Sequence, residues 1–406
     1  MEEAYLLWLI RRSLPGSSYA LTESDGESAR MAAGRENFDW EKFCHMAERH
    51  GVLPLLHEAL EDAQLPDHVQ KRAEDAARKA VLQSYRILFL CKYLVGKLEQ
   101  EGLSVAVLKG VGTASFYPVP ELRKSGDVDL LLTDGKSLKR VETILKECGF
   151  VLGKEQHGLH HVVYETEDGI GIEIHTMLAE PFDDRRINRY LEDKLEECGR
   201  NIVRTDCMGV KLPILQDGYH AYELLLHMLQ HFLYAGFGLK LLCDWVAFWS
   251  REIPREEQEK YLQLVKESGV RGFSDIVTGT CVRYLGLGRE TVSWMKLPEE
   301  DGVVEEFMRE TMTAEEFGYS TLDRMVALRS GSLPEYVREF HHQMHLNFPR
   351  AGKCFLFWPV LWVITLGRFL YNNRKLRKVS TRAVLKNARQ RGLLRAQMRL
   401  WEREEP

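Results

Sequence analysis

The sequence has no CxxC pair, no internal repeat and no long tract of Gly, Pro or Ser, and its apolar runs are short. Eight cysteines, at 44, 91, 148, 198, 207, 243, 281 and 354, are scattered over 406 residues, which excludes the density of a small disulfide-stapled secreted fold. They read as reduced thiols, with Cys243 and Cys281 as core residues. The first apolar run, Ala4 to Ile10, is preceded by Glu2 and Glu3 and followed by Arg11 and Arg12, the wrong order of charges for a secretory signal. A cytoplasmic protein is expected. The longest apolar run, Cys354 to Leu366, holds Pro359 and falls short of the roughly 20 residues of a spanning helix, so it is read as buried or interfacial.

What is present suits a chain that folds. Apolar residues make up 45% and charged residues 28%, and at this length two or three packed units are expected. The net charge of −5 hides an asymmetry. Twelve of the 55 Lys and Arg, but one of the 60 acids, lie between Arg368 and Arg403, so the remainder carries 43 bases against 59 acids, a formal −16.

Helical spacing of Phe43, Met46 and Ala47, and further on of Val81, Tyr85, Leu88, Phe89 and Val95, predicts helices over 38–62 and 66–100, with a break at Gly51 to Pro54. Gly16 to Gly26 reads as a loop. From Ser104 the pattern changes: a short strand to Leu108, a Gly-containing turn, the run Val128 to Leu132, and a helix from Ser137 to Cys148 closed by Gly149. Two more strands, His161 to Tyr164 and Ile170 to His175, are joined by the turn signal Glu167-Asp168-Gly169. From Asp217 helical spacing returns, with Leu224, Leu225, Met228, Leu229 and Phe232 on one face. The expected organisation is a helical region over 1–100, an α/β core over 101–215, a helical region over 216–345 and a C-terminal helical segment with a basic tail over 346–406.

The chemistry is carried by Ser125-Gly126-Asp127-Val128-Asp129-Leu130. Side chains alternate along a strand, so Asp127 and Asp129 share one face while Val128 and Leu130 enter the core. A lone DxD is as often a solvated loop end. Here a later strand adds weight, because Ile170, Ile172 and Ile174 form its inward face and leave Glu173 and His175 on the other. Three carboxylates on one sheet face repel unless a cation neutralises them, and Mg2+ suits carboxylate and phosphate oxygens. Upstream, Lys109-Gly110-Val111-Gly112 follows a strand and opens a helix, where exposed N–H groups attract phosphate. Arg123 and Lys124 lie between that turn and the aspartates, placed to reach a triphosphate.

This order resembles the nucleotidyltransferase superfamily that includes DNA polymerase beta and the aminoglycoside nucleotidyltransferases. Leu108-Lys109-Gly110, Phe116-Tyr117-Pro118, Arg123 to Asp129 and Glu173-Ile174-His175 more closely resemble a mostly uncharacterised bacterial nucleotidyltransferase-like family, over about residues 38–250. The resemblance implies an α+β fold, with a small mixed-sheet nucleotidyltransferase core flanked by helical regions. It implies two Mg2+, replaceable by Mn2+, on Asp127, Asp129 and Glu173, and nucleotide contacts from Lys109, Gly110, Gly112, Arg123 and Lys124. The implied reaction is transfer of a nucleoside monophosphate, AMP by expectation, from an NTP to a hydroxyl or phosphate of an unidentified small molecule, peptide or RNA. One departure is that Gly110 is followed by Val111, where the superfamily has Gly or Ser. That feature keeps open a non-catalytic nucleotide-binding or regulatory module on the same fold.

Second-tier candidates are His161, His175, His227, His231 and Asp244. His227 and His231 lie four apart on a helix, with His220 two turns earlier and Glu223 nearby; without the Glu of HExxH they read as pocket-lining residues in preference to zinc ligands. In the resembling family, histidines on this helix and an acid like Asp244 recur near the cleft, although Lys240 and Asp244 also suit a surface i,i+4 pair. His157, His160 and His161 precede a strand beside the metal strand, where histidine can hold phosphate; a solvated turn explains them equally well. The basic segment from Arg374 to Arg399 can track phosphates or an anionic membrane, but the acidic remainder of the chain is the expected partner.

Overall fold

The computed structural model describes residues 1–16, 37–61, 65–134, 137–153, 161–182, 184–234, 236–298, 301–314, 354–371 and 392–402, with positions 337, 340, 341, 344 and 348. The predicted loop over 16–26, Gly16 apart, and most of the basic segment from Arg374 lie outside these residues.

The N-terminal layer is helical: α1 (Glu2–Ser13), α2 (Trp40–Arg49), α3 (His57–Glu61) and the long α4 (Asp67–Gln100). Asp39 caps α2 by accepting from the Lys42 amide, and Pro66 sets the start of α4. At 34 residues α4 runs about 50 Å. Its Val69, Ala73, Ala77, Ala80, Ser84, Ile87, Cys91, Leu94 and Leu98 recur at three- and four-residue steps and are buried.

The core follows as β1 (Val105–Val107), α5 (Val111–Ala114), β2 (Asp127–Leu132), α6 (Leu138–Glu147), β3 (Val151–Leu152), β4 (His161–Glu165), β5 (Gly171–His175), α7 (Arg185–Arg200), β6 (Ile202–Cys207) and β7 (Val210–Leu215). These strands form one mixed sheet in the order β3-β4-β5-β2-β1-β7-β6. β2 sits at its centre, parallel to β5 and antiparallel to β1, which explains why Leu130, Leu131 and Leu132 are all buried: a central strand covered on both faces reads as a continuous apolar run. The hairpin β4–β5 turns where Glu167-Asp168-Gly169 predicts, with Gly169 at φ +81°. The hairpin β6–β7 and helix α7 were not anticipated from sequence.

The remaining helices are α8 (Asp217–Tyr234), α9 (Leu239–Trp249), α10 (Arg255–Ser268), α11 (Arg271–Tyr284), α12 (Asp301–Ala314) and α13 (Trp358–Tyr371). Thirteen of the 18 residues of α8 are buried, as suits a helix apolar on most sides. Buried apolar residues from Tyr5 to Met398 form one connected core. The chain end returns to the body: Leu394 and Met398 are buried, and the Trp401 amide donates to the Gly269 carbonyl at 2.8 Å. A Cβ at Gly272 would meet the Met398 carbonyl oxygen at 2.2 Å, so only glycine admits this backbone approach.

Candidate active site

β1 leads through Lys109 into Gly110, whose φ of +54° and ψ of −116° suit a residue without Cβ. A Cβ there would also lie 3.4 Å from the Asp127 carbonyl oxygen, because the turn crosses the start of β2. The helix α5 that follows is a single turn. Gly112 donates its amide to the Lys109 carbonyl at 3.1 Å and packs on Ile214, away from the cleft, whereas Gly110 lines it.

The parallel pairing of β2 and β5 sets Asp129 in register with Glu173, and Asp127 with Gly171. Adjacent strands lie about 4.8 Å apart, so the pairing brings Asp129 and Glu173 side by side on one face. His175, two residues on, comes with them: its Nε2 lies 2.8 Å from Asp129 Oδ1 and 3.3 Å from Glu173 Oε2. Lys109 Nζ lies 3.0 Å from the same Asp129 oxygen and 3.5 Å from His227 Nδ1. Among the described residues, Asp129, Glu173 and His175 offer a ligand set whose atoms lie within 4.8 Å of one another. Asp127 lines the cleft beside this set.

The electrostatics follow from crowding. The charge of Asp129, helped by burial, pushes Asp127 up to about 6. Burial acts on Asp129 in the same direction, but Lys109 and His175 outweigh it and hold that carboxyl far below the usual range. Burial would likewise neutralise His175, yet its hydrogen bonds to Asp129 and Glu173 carry it to about 9. Lys109 is held charged by the surrounding carboxylates, Asp129 foremost, against its burial. The donor set fits a hard divalent cation: it is rich in carboxylate oxygen, and positive charge is already drawn into it in the form of Lys109 and His175. A pH dependence follows. Below about pH 6 a proton on Asp127 competes with a cation, so Mg2+ affinity, followed by calorimetric titration, will fall as pH drops through 6.

The cleft, about 340 Å3, is lined by Lys109, Gly110, Arg123, Lys124, Asp127, Asp129, Glu173, His227, His231 and Asp244, so the sheet and α8–α9 gather most of the residues singled out in the sequence. Arg123 does not extend into it as a phosphate ligand. Its Nε and Nη2 donate to Asp244 Oδ1 and Oδ2 at 2.7 and 2.8 Å, and its Nη1 donates to Ser125 Oγ at 2.8 Å and the Gly110 carbonyl at 3.2 Å. Tyr117 also donates to Asp244, at 2.7 Å. Asp244 is thus buried in a clamp that ties α9 to the Gly110 turn, not a surface partner of Lys240. Lys240 lines the cleft instead, and its charge acts on Asp127.

A second cavity, about 290 Å3, shares Lys109, Glu173, His227 and His231 with the cleft and adds His175, Glu180 and Glu223. Glu223, His227 and His231 recur every four residues on α8, so one helix face supplies all three. Burial keeps both histidines neutral, His231 near 4 and His227 well below its ordinary value, and their rings meet at 4.5 Å. Burial also raises Glu223 to about 7, and its Oε2 has no hydrogen-bond partner. The sequence names Glu223 only as a neighbour of the helix histidines and Lys240 only as a surface partner of Asp244, although the four-residue spacing to His227 was a usable signal for the former. His220 stacks on Phe248 away from both cavities. His161 occupies β4 opposite His175 in register; its side chain lies outside the described residues.

The fold is that of a nucleotidyltransferase-type protein. The chain belongs to the family described as uncharacterised nucleotidyltransferase, whose model matches residues 36–286, from just before α2 to the end of α11. Comparison with curated proteins finds no match. Among solved structures the chain is similar to an antigenic nucleotidyltransferase-like protein from Paracoccidioides brasiliensis, at 19% identity over 45% of this chain and 88% of the other; the TM-score of 0.29 is too low for that likeness to bear on the site.

Proposed function

We propose that the protein is a metal-dependent nucleotidyltransferase that moves a nucleoside monophosphate, AMP from ATP, to a hydroxyl or phosphate acceptor. The observation that carries this reading is the register pairing of Asp129 with Glu173 beside Asp127, in a cleft also lined by Lys109, Lys124 and Lys240. Asp127, Asp129 and Glu173 would hold Mg2+ or Mn2+, two ions by expectation, with His175 as their neighbour. Such cations supply charge neutralisation at the phosphates and activation of the acceptor oxygen. The acceptor oxygen attacks the α-phosphorus, the bond to the bridging oxygen breaks, and pyrophosphate leaves.

The chain's own residues do the positioning. The cleft's lysines draw the triphosphate in, and the Arg123–Asp244 clamp fixes the Gly110 turn against which it lies. The second cavity, on the Glu173 side, suits the acceptor, and Glu223 is a group able to take its proton. Free cysteines, most of them buried, suit a cytoplasmic setting, and no described helix is long and apolar enough to cross a membrane. A non-catalytic nucleotide-binding module remains the alternative; Val111 in place of a small or hydroxyl residue favours it.

Incubation with each labelled NTP and Mg2+, with and without cell extract as acceptor source, tests the proposal through pyrophosphate release. Release with one NTP in extract supports it, and none with any NTP sinks it. Glu173→Gln separates the roles within the site: turnover will fall about 100-fold while nucleotide affinity changes by less than about threefold, because Glu173 serves the acceptor side. Equal losses in both would move it to the triphosphate.

A further inference from the structure

Helix α13 and the short turn before it place apolar side chains in solvent. Phe355, Leu356, Phe357, Val360, Val363, Ile364 and Leu366 are 40–70% exposed, while Leu361 and Thr365 face inward. No charged residue occurs from Cys354 to Gly367. At about 100° per residue, the exposed positions sweep roughly half of the helix circumference. A single helix docking against α13 would cover a narrower seam. At 14 residues α13 is about 21 Å long, short of the roughly 30 Å needed to span a bilayer core but suited to lying in its plane.

The sequence that follows supplies the charge. Arg368 comes first, then Arg374, Lys375, Arg377 and Lys378, in a stretch where the sole acid before Arg403 is Glu402. A bare apolar helix running directly into a basic cluster is complementary to an anionic lipid surface, apolar part to the acyl boundary and cations to headgroups. The rest of the chain carries −16, so this region is where approach to such a surface is favoured, whichever reaction the cleft performs. We infer that α13 is an in-plane anchor for anionic membranes, with the basic residues that follow it in sequence supplying the charge. The far end of the segment, residues 392–402, packs on the body, as Leu394 and Met398 show.

Flotation of the full chain with phosphatidylcholine vesicles, with and without phosphatidylglycerol, tests the inference. The protein will rise with the anionic vesicles, at least about tenfold more than with neutral ones, and high salt will release it. Val360→Asp with Val363→Asp will abolish flotation without lowering the melting temperature, since both side chains are exposed. Should that pair disturb folding, Lys375→Glu, Arg377→Glu and Lys378→Glu together give an independent reading and will also abolish flotation. Equal recovery on both vesicles, or none, overturns the inference. So does a dimer by light scattering that the valine variants dissociate, or single-stranded RNA binding by a chain that ignores vesicles.

Discussion

Asparagine at Asp127 or Asp129 will lower Mg2+-dependent nucleotidyl transfer by roughly 10²–10³-fold, and the two variants will differ in stability. Asp127 is crowded by Asp129: its folded pKa of about 6 lies above that of an unfolded aspartate, so at neutral pH its charge opposes folding. Asp127→Asn will therefore raise the melting temperature of the metal-free protein while removing activity. Asp129 is the opposite case. Its charge is the main counter-ion of Lys109 and a hydrogen-bond partner of His175, so Asp129→Asn leaves two partly buried cations poorly matched and lowers the melting temperature. Melting curves in EDTA beside turnover in Mg2+ check both. Equal melting temperatures with undiminished activity would remove both residues from the site.

Asp244→Ala will destabilise the protein by about 3–5 kcal/mol, the cost of leaving a buried guanidinium without its partner. The ion pair is almost fully buried, at 4% and 3% side-chain exposure, and Asp244 also receives the Tyr117 hydroxyl. Arg123 bonds the Gly110 carbonyl too, so the loss will loosen the turn at the cleft and weaken nucleotide binding beyond what stability alone explains. Denaturant unfolding together with nucleotide titration separates the two effects. A change below about 1 kcal/mol would show the clamp to be dispensable.

The sheet's centre was legible because its signals are local. Asp127-Val128-Asp129 followed by three leucines gives strand, face and carboxylates in one stretch, and Ile170, Ile172 and Ile174 give the face of its neighbour. The hairpin β6–β7 was not legible: its two-residue turn is Met208-Gly209, with Met208 at φ +51°, so neither central residue is an Asn or Asp, although Asp206 just before it accepts from the Gly209 amide at 2.9 Å. Helix α7, rich in charge along Arg185–Arg200, hides a narrow apolar stripe of Ile187, Leu191 and Cys198. Within the site, spacing could not tell that Arg123 is consumed by Asp244, 121 residues away, because a long-range ion pair leaves no local trace. The same holds for Lys240, which reads as a surface lysine until the α8–α9 packing turns it to the cleft. Cys354 to Leu366 was read as buried or interfacial, and exposure separates the two: its helix is turned outward.

The most direct test of nucleotidyl transfer follows the fate of two labels. ATP labelled at the α-phosphorus and, separately, at the γ-phosphorus is incubated with the protein, Mg2+ and cell extract, with Asp127→Asn as the control. The account predicts that the α label passes to an acceptor and the γ label is recovered in pyrophosphate, neither occurring in the control. Transfer of the γ label to the acceptor, or ATP bound yet intact under every acceptor condition, would contradict it.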